Sequence, residues 1–329
     1  MLGTPASRHE FDVIAVSPNV AIDSYYLLSD LKLGEVNRSQ QVWHTAGGKS
    51  NNMARAAVIL GGRVLSLGIV GGTSGQFIVN ELEREGIASD MVWTEQETRR
   101  GVTIPLTSGN QTTVVLEAGS PVGNEARQEL MTRVLSHTPE TSFLTLNGSL
   151  PPDFPDDFYA VIVQKLRDEP VRVCLDSAGN SLKQAAQAGP AIIKVNWQEF
   201  RSVFVEAQEW NWSVVPEIFS QLIEKGLELL VITTGAEGAY VFGKEVEPFR
   251  VFTPVESWIS TAGAGDTFLA GLVLSLGRGK SLEQAARFAG AAAAASLQHV
   301  VCGSLELSEA ESLLDLTRME PLFHGRRGE

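Results

Sequence analysis

Residues 260–271 read STAGAGDTFLAG, a glycine-rich turn that runs directly into an apolar helical pattern. The glycines at 263 and 265 allow successive backbone N–H groups to point in one direction. The helix that follows adds the positive end of its dipole at the same place. The segment therefore predicts an anion-binding turn at the N-terminus of a helix.

Asp266 lies at the mouth of this turn, where a carboxylate would repel a bound phosphate. A carboxylate at this position would nevertheless be useful if it takes a proton from an alcohol that attacks the bound phosphate. On this interpretation the segment indicates a phosphotransferase. The alternative is that Asp266 only caps the N-terminus of the helix, as Asp commonly does.

A second glycine cluster, AGGKSNNMAR at residues 46–55, also precedes a helical pattern. Gly47 and Gly48 allow close approach of a polyol, and Asn52 can donate to and accept from hydroxyl groups. Lys49 offers a positive charge to an anionic substituent. These residues together indicate a sugar-phosphate site. The spacing matches neither a P-loop nor a dinucleotide-binding turn, so neither of those motifs explains the cluster. A plain helix-entry turn is the alternative.

Asp23 follows the first apolar strand, where the carboxyl end of a strand would meet the ligand crevice of an α/β sheet. It could hold two sugar hydroxyls, or it could form a turn before the next strand. Arg99 and Arg100 begin a later β-like stretch. They could complete a phosphate clamp with Lys49, or they could be solvated on an exposed strand.

Polar residues also follow two later strands. Lys194, Asn196 and Glu199 come after one buried run, and residues 233–238 (TTGAEG) come after the next. An amide and a carboxylate three residues apart suit a magnesium site that is bridged by water. Both segments add to the polar edge of the predicted sheet.

Short apolar runs alternate with helical patterns along the chain. The predicted strands are residues 11–16, 64–70, 143–146, 171–175, 191–195 and 229–233. The predicted helices are residues 51–60, 75–85, 158–167, 214–225 and 267–276. Strands that alternate with helices imply an α/β fold, a doubly wound and mostly parallel sheet with helices on both faces.

Residues 25–45 and 99–117 break this rhythm, because they alternate in polarity and contain no helical period. One strand-helix-strand-helix unit separates them, so they could pair with each other as a small β-sheet lid over the carboxyl edge of the main sheet. No linker divides the chain, and we expect residues 1–329 to form a single domain.

The composition of the 329 residues excludes several classes of protein. A net charge of −13 repels phosphate backbones, so nucleic acid is not an expected partner. Cys174 and Cys302 are the only cysteines, which is typical of a reduced intracellular protein.

Residues 1–10 lack the apolar core of a signal peptide, and the longest apolar run, around residues 289–297, is too short to span a membrane. We therefore expect a soluble cytoplasmic protein with no membrane partner.

The sequence offers no transition-metal site and no hydrolase centre. No two histidines have metal-ligand spacing; they stand at positions 9, 44, 137, 299 and 324. No nucleophile elbow accompanies a Ser-His-Asp set either.

Taken in order, these segments resemble the ribokinase-like sugar kinases of the phosphofructokinase-B family, and the likeness runs over residues 12–303. Residues 19–23 (NVAID) look like that family's Asn-Pro-Ala-x-Asp start. Residues 47–55 look like its Gly-Gly-Lys-Gly-x-Asn-x-Ala-Arg signature, and residues 261–266 are similar to its Gly-Ala-Gly-Asp signature.

Within that family, Lys49 and residues 116–119 look most like the tagatose-6-phosphate and fructose-1-phosphate kinase branch. The resemblance implies transfer of the γ-phosphoryl group of ATP to a primary hydroxyl of a hexose phosphate. It also implies that the lid pairs two subunits into a homodimer, as it often does in the family.

The resemblance further assigns roles by matching position. The catalytic groups would be Asp266 as base, with an anion hole formed by Gly263, Ala264 and Gly265. The substrate would be held by Asp23, Gly48, Lys49, Asn52, Arg99 and Asn147. The nucleotide would face Lys194, Asn196, Thr233, Gly235 and Gly238. Mg²⁺ would be organised through water by Asn196 and Glu199.

The chain departs from the family pattern mainly on the presumed acceptor side. Ser50 and Asn51 replace a glycine and an apolar residue. Gly101 stands where the branch tends to have Asn, and Asn147 stands where Ser is usual. Val195 replaces a proline on the nucleotide side. Two alternatives therefore stay open: a free-sugar or nucleoside kinase of the same fold, and a sugar-phosphate sensor without catalytic activity.

Overall fold

The structure is a computed structural model that describes residues 9–109, 111–205 and 212–322. Residues 1–8, Asn110 and His324, which entered the sequence analysis, lie outside the described residues. The strands are β1 (Val13–Ser17), β2 (Ala21–Leu27), β3 (Gln41–Gly47), β4 (Val64–Gly71), β5 (Ala88–Thr94), β6 (Arg100–Pro105), β7 (Thr112–Leu116), β8 (Phe143–Asn147), β9 (Arg172–Asp176), β10 (Ile192–Asn196), β11 (Leu229–Thr233), β12 (Ala239–Gly243), β13 (Val246–Phe252) and β14 (Arg318–Pro321). The α-helices are α1 (Lys49–Ile59), α2 (Gly72–Arg84), α3 (Gly123–His137), α4 (Phe158–Lys165), α5 (Gly179–Gln187), α6 (Trp197–Phe204), α7 (Val215–Ile223), α8 (Ala264–Gly277), α9 (Leu282–Ser296) and α10 (Leu307–Leu314).

The main sheet has ten strands in the order β14-β13-β12-β11-β10-β9-β8-β1-β4-β5. The strands from β11 to β5 in this order pair in parallel, and β12, β13 and β14 extend the sheet in antiparallel fashion. The chain builds outward from β1 in both directions, so the strand order reverses at β1. In open α/β sheets, ligands bind at such a reversal, beyond the carboxyl ends of the strands. The predicted doubly wound and mostly parallel sheet is confirmed.

Two buried cores cover the two faces of this sheet. Val13 and Ala15 of β1 pack into one core with α1, α8 and α9. Ile14 and Val16 pack into the other core with α3, α4 and α5. Successive side chains of a strand point to opposite faces, so a strand that is covered on both faces must be apolar throughout. This explains why the strands of the main sheet are visible in the sequence as short continuous apolar runs.

The predicted strands are all present, with boundaries shifted by at most two residues. The predicted helices are present as well, and α1, α2 and α8 begin two or three residues earlier than expected. The sequence pattern did not identify helices α3, α5, α6, α9 and α10, the parallel edge strand β5 or the antiparallel strands β12, β13 and β14.

A separate four-stranded sheet has the order β3-β2-β6-β7. β2 and β6 pair in parallel, and each has an antiparallel partner in β3 or β7. The two segments that break the α/β rhythm therefore form one small sheet, as predicted. The sheet begins at Ala21 rather than at residue 25, and Asp23 lies inside β2. The alternative in which Asp23 forms a turn is wrong.

In the part of the chain that the structure describes, every helix is too short or too polar to cross a lipid bilayer.

Candidate active site

Polar side chains collect at the carboxyl ends of five neighbouring strands of the main sheet. They are Asn19 just after β1, Asn147 in β8, Asp176 in β9, Asn196 in β10 and Thr233 in β11. The strand register places Asn147 opposite Asp176, and Asn196 opposite Thr233. Because the carboxyl ends of parallel strands meet at one edge of a sheet, these side chains lie along a common edge.

The glycine-rich turn lies directly before α8 at this edge. Gly263 has a φ of 79°, in the left-handed region that favours glycine. A Cβ built on Gly263 would lie 2.9 Å from the Cα of Cys302, so a side chain does not fit there. A Cβ built on Gly265 would lie 2.6 Å from Nζ of Lys194. The Lys194 ammonium therefore lies against the turn and adds its charge to the N-terminal end of the helix dipole.

Asp266 is the third residue of α8, and the N-cap position of this helix is occupied by Gly263. Oδ2 of Asp266 instead accepts a hydrogen bond from Nδ2 of Asn52 at 3.0 Å. The alternative in which Asp266 only caps the helix is wrong. Burial, and then the nearby charge of Asp176, raises the pKa of Asp266 to about 6. The two lysines at 194 and 49 and the Asn52 hydrogen bond act in the opposite direction.

Asp176 contacts both lysines of the site, and no motif in the sequence predicted it. Its carboxylate is fully buried, with Oδ1 2.6 Å from Nζ of Lys49 and Oδ2 2.7 Å from Nζ of Lys194. Burial alone would raise the pKa of Asp176, but the two ammonium groups outweigh burial and hold the pKa below its usual range. Its position at the end of a buried strand, one strand away from Asn147, was the signal that could have identified it.

Lys49 is the first residue of α1, and its ammonium group contacts two carboxylates. Nζ donates to Asp176 and also to Oε1 of Glu199, at 3.0 Å. Burial lowers the pKa of Lys49, but the two carboxylates outweigh it and raise the pKa above the usual value, so the group stays charged. An ammonium has three donors. The two carboxylates take two of these donors, and the side chain is 30% exposed.

Asn196 and Glu199 form a capping box at the start of α6. The backbone N–H of Glu199 donates to Oδ1 of Asn196 at 2.8 Å, and the backbone N–H of Asn196 donates to Oε2 of Glu199 at 2.9 Å. Direct metal ligation by either side chain would break this cap, whereas hydrogen bonds to metal-bound water would leave it intact. Among the described residues, no cluster of three His, Cys, Asp or Glu side chains could hold a metal directly.

Asp23 is a buried carboxylate of the small sheet, and it faces residues 46–50, the glycine cluster at the start of α1 that we call the sugar loop. The backbone N–H of Gly48 donates to its Oδ2 at 3.3 Å, and none of the described residues donates to Oδ1. Burial raises the pKa of Asp23, against the effects of the Gly48 hydrogen bond and the charges of Arg55 and Arg99. A buried carboxylate with an unfilled acceptor favours a ligand that donates, such as a sugar hydroxyl.

Arg99 binds backbone carbonyl groups at the junction of the two sheets. Its Nε and Nη2 donate to the carbonyl oxygen of Asn19 at 3.1 and 2.8 Å, and Nη1 donates to that of Glu117 at 2.9 Å. A guanidinium has five N–H donors, so these contacts leave donors for a ligand. Its neighbour Arg100 is exposed and donates to Oγ of Ser74 at 3.2 Å.

Asn147 is almost completely buried at the end of β8. Its Nδ2 donates to Oγ1 and to the carbonyl oxygen of Thr145, at 2.7 and 3.1 Å. Its Oδ1 has no hydrogen-bond partner among the described residues. Because an unpaired buried amide oxygen is unfavourable, this atom favours a donor from a ligand or from water.

Asn51, one of the departures from the family pattern, holds the sugar loop in place. It is fully buried, and its Nδ2 donates to the carbonyl oxygen of Gly47 at 2.9 Å. Its Oδ1 accepts a hydrogen bond from Oγ of Ser66 in β4 at 2.8 Å. The amide therefore ties the loop to the main sheet and does not open toward the acceptor side.

The loop after β11 presents an open backbone face. The N–H and Oγ1 of Thr234 donate to the carbonyl oxygen of Gly238, at 2.8 and 3.0 Å, and close the loop. Gly238 has a φ of 90°, and a Cβ there would lie 2.1 Å from the carbonyl oxygen of Val251, so only glycine fits. At Gly235, by contrast, a Cβ would meet no atom within 4 Å. The space beside Gly235 and Thr233 is therefore open to a ligand.

The sequence matches the pfkB family carbohydrate kinases over residues 17–309. A 1-phosphofructokinase of Borreliella burgdorferi is 28% identical over 312 residues, which cover 94% of this chain and 99% of that relative. Among solved structures, a possible 1-phosphofructokinase of Thermotoga maritima has a TM-score of 0.86 at 21% identity, covering 94% of this chain and 99% of that one. The phosphofructokinase-2 of Escherichia coli in complex with fructose-6-phosphate has a TM-score of 0.83 at 21% identity, covering 93% and 98%.

Proposed function

The chain belongs to the pfkB family of carbohydrate kinases, and we propose that it transfers the γ-phosphoryl group of ATP to a primary hydroxyl of a hexose phosphate. The family match and the named relative support an ATP-dependent hexose phosphate kinase. One observation carries the assignment of the site: buried Asp266, in the first turn of α8, accepts a hydrogen bond from Asn52 of α1, just after the sugar loop. The base, the anion-binding turn and the sugar loop meet at one place. A cytoplasmic location stays a prediction from the sequence.

Asp266 acts as the general base. With a pKa of about 6 it is mostly ionised at pH 7, yet its proton affinity is close to the operating pH, where general-base catalysis is most effective. Because Asn52 holds Oδ2, Oδ1 takes the proton from the acceptor hydroxyl. The hydroxyl oxygen then forms its bond to the γ-phosphorus, and ADP leaves with the electron pair of the broken P–O bond.

The glycine-rich turn stabilises the transferring group. The backbone N–H groups of residues 263–265 and the start of α8 face the charge that develops on the γ-phosphoryl oxygens. Lys194, whose ammonium lies against Gly265, adds a fixed positive charge at the same position. These groups are held in place before the substrate binds, so they need little reorganisation during the reaction.

The acceptor binds between the small sheet and the start of α1. Oδ1 of Asp23 accepts a hydrogen bond from a sugar hydroxyl, since it has no donor among the described residues. Asn147 lies beneath this position with its Oδ1 buried. The third N–H of Lys49 and the remaining donors of Arg99 contact the phosphate of the acceptor. Gly48 allows the sugar to approach the loop closely.

The nucleotide binds along the ends of β10 and β11. The residues that face it are Lys194, Asn196, Thr233, Gly235 and Gly238. Three carboxylates at the site, those of Asp176, Glu199 and Asp266, face only two ammonium groups, so the site offers no excess positive charge to ATP. This charge balance suits a nucleotide that binds together with Mg²⁺. Asn196 and Glu199 would hold the water molecules bound to that Mg²⁺. When bound, Mg²⁺ neutralises phosphate charge and polarises the γ-phosphoryl group.

Replacing Asp266 with Asn tests the catalytic assignment. The amide keeps the size of the side chain but takes no proton, so we expect turnover to fall by roughly 10²- to 10⁴-fold while ATP affinity is retained. ADP release in a coupled assay measures turnover, and calorimetry measures ATP binding. Asp315→Asn, at an exposed position after α10, is the matched control and should leave turnover unchanged. Near-normal turnover of Asp266→Asn would contradict the role of base.

Replacing Lys49 with Ala tests the class of acceptor. Loss of a charge-assisted hydrogen bond should raise the KM for a phosphorylated acceptor by roughly 10- to 150-fold. Lys49→Ala also removes the contacts to Asp176 and Glu199, and this loss would change the KM for a free hexose and for a hexose phosphate by the same factor. The ratio of the KM change for the hexose phosphate to that for the free hexose therefore isolates the phosphate contact. Lys49→Arg keeps the charge and serves as the control.

Equal KM changes for the free and the phosphorylated sugar would favour a free-sugar or nucleoside kinase. A panel of hexose phosphates, free hexoses and nucleosides that bind without any ADP release would favour the sensor instead.

We also propose that the small sheet pairs two copies of the chain. In its register, Val102 lies opposite Val115 and Tyr26 lies opposite Val42, so these side chains share one face. Val42 and Val115 are 43% and 61% exposed, which makes this face a patch of uncovered apolar surface. Val42 and Val115 lie on the two outer strands of this face, and apolar side chains exposed across one face of a sheet suit a self-complementary contact.

A charge in this patch should separate the subunits. We expect Val115→Asp to sediment as a monomer at a concentration where the unchanged protein sediments as a dimer, because each dimer would bury two new carboxylates. Leu316→Asp, at a site of similar exposure (55%) away from the small sheet, is the control and should stay dimeric. If the unchanged protein is already a monomer, the pairing proposal is wrong.

A further inference from the structure

The Asp23 carboxylate lies in a slot between two strand glycines. In the small sheet Asp23 is flanked by Thr45 of β3 and by Gly101 of β6. A Cβ built on Gly47 would lie 2.1 Å from Cγ of Asp23, and one built on Gly101 would lie 2.8 Å from its Oδ1. Carbon atoms in contact are normally about 3.5–4.0 Å apart. The carboxylate therefore fills the volume that two side chains would otherwise occupy.

Backbone geometry does not explain why these two positions are glycine. Neither Gly47 nor Gly101 is among the glycines with positive φ, and both lie within strands. A glycine inside a strand is unfavourable, because it packs no side chain and loses more conformational freedom on folding than other residues. An alanine would normally be the better residue at such positions. The contact that both positions share is with the Asp23 carboxylate, so the space that this carboxylate occupies is a common reason for glycine at the two positions.

We propose that Gly47 and Gly101 are positioning residues, which hold the carboxylate of Asp23 flat against the strands with Oδ1 open to the acceptor. The purpose of this position, contact with a sugar hydroxyl, rests on the proposed function. The slot itself does not, because it follows from the packing of Asp23 against the two glycines. Stability and kinetics can therefore test the two parts separately.

A double-mutant cycle in unfolding tests the slot. Gly101→Ala should lower the midpoint of thermal unfolding by a few degrees, because the new methyl group and the Asp23 carboxylate overlap. Leu116 also approaches this position, but it is 59% exposed and can move away. In the Asp23→Ala background the overlap is gone, so adding Gly101→Ala should leave the midpoint unchanged or raise it. If Gly101→Ala lowers the unfolding midpoint equally in the unchanged protein and in Asp23→Ala, the proposal is overturned.

Gly243→Ala provides a matched control for the cycle. It is also a strand glycine with a close contact, since its Cβ would lie 2.7 Å from Cδ2 of Leu282, but it does not approach Asp23. Its effect should be the same with and without Asp23→Ala. If Gly101→Ala fails to fold, folding of Asp23→Ala/Gly101→Ala supports the slot, and failure of both proteins overturns it.

Kinetics test the purpose of the slot. Gly101→Ala should raise the KM for the hexose phosphate by about 10-fold or more and leave the KM for ATP unchanged, because Asp23 lies on the acceptor side only. A merely structural role would lower the amount of active enzyme without separating the two KM values. Suppose that Asp23→Ala removes the effect of Gly101→Ala on the unfolding midpoint, but Gly101→Ala leaves the KM for the hexose phosphate unchanged. This result would support the slot and reject its role in substrate binding. Absence of kinase activity in the unchanged protein would reject the proposed function alone.

Discussion

A buried carboxylate that is shared by two lysines holds the candidate active site together. The oxygens of Asp176 lie 2.6 and 2.7 Å from the ammonium groups of Lys49 and Lys194. Lys49 begins α1, next to the proposed acceptor site, and Lys194 lies in β10, next to the proposed nucleotide site. Asp176 therefore joins the two halves of the proposed active site. Removing one member of such a buried group leaves a charge without a partner, which costs about 3–5 kcal/mol.

The charge of Asp176 also raises the pKa of Asp266, the proposed base. After burial, Asp176 is the main reason that the pKa of Asp266 is raised, while Lys49 and Lys194 limit the rise. Asn52 holds one oxygen of Asp266 and leaves the other for a proton. The same cluster of charges therefore positions the two lysines and, together with burial, sets the proton affinity of the proposed base.

The sequence predicted the main sheet and the two glycine-rich turns, because buried strands and glycine clusters leave local patterns. It did not identify Asp176, whose partners come from two other elements: Lys194 lies on the neighbouring strand β10, and Lys49 lies at the start of α1, 127 residues away in the sequence. The i, i+3 spacing of Asn196 and Glu199 fits both a water-bridged metal site and a capping box, and only the hydrogen bonds reveal the box. Helix α9 was not predicted because its run of alanines gives no polar face and hence no clear helical period.

The pH dependence of kcat/KM tests the account most directly, measured for the unchanged protein and for Asp176→Asn with a saturating nucleotide. Activity of the unchanged protein should fall on the acid side with an apparent pKa near 6, as Asp266 becomes protonated. In Asp176→Asn, loss of the neighbouring negative charge and release of the two lysines both favour the ionised base. The acid limb should therefore move to lower pH by about one unit. An acid limb that stays in place or moves to higher pH would contradict the claim that Asp176 sets the proton affinity of the base.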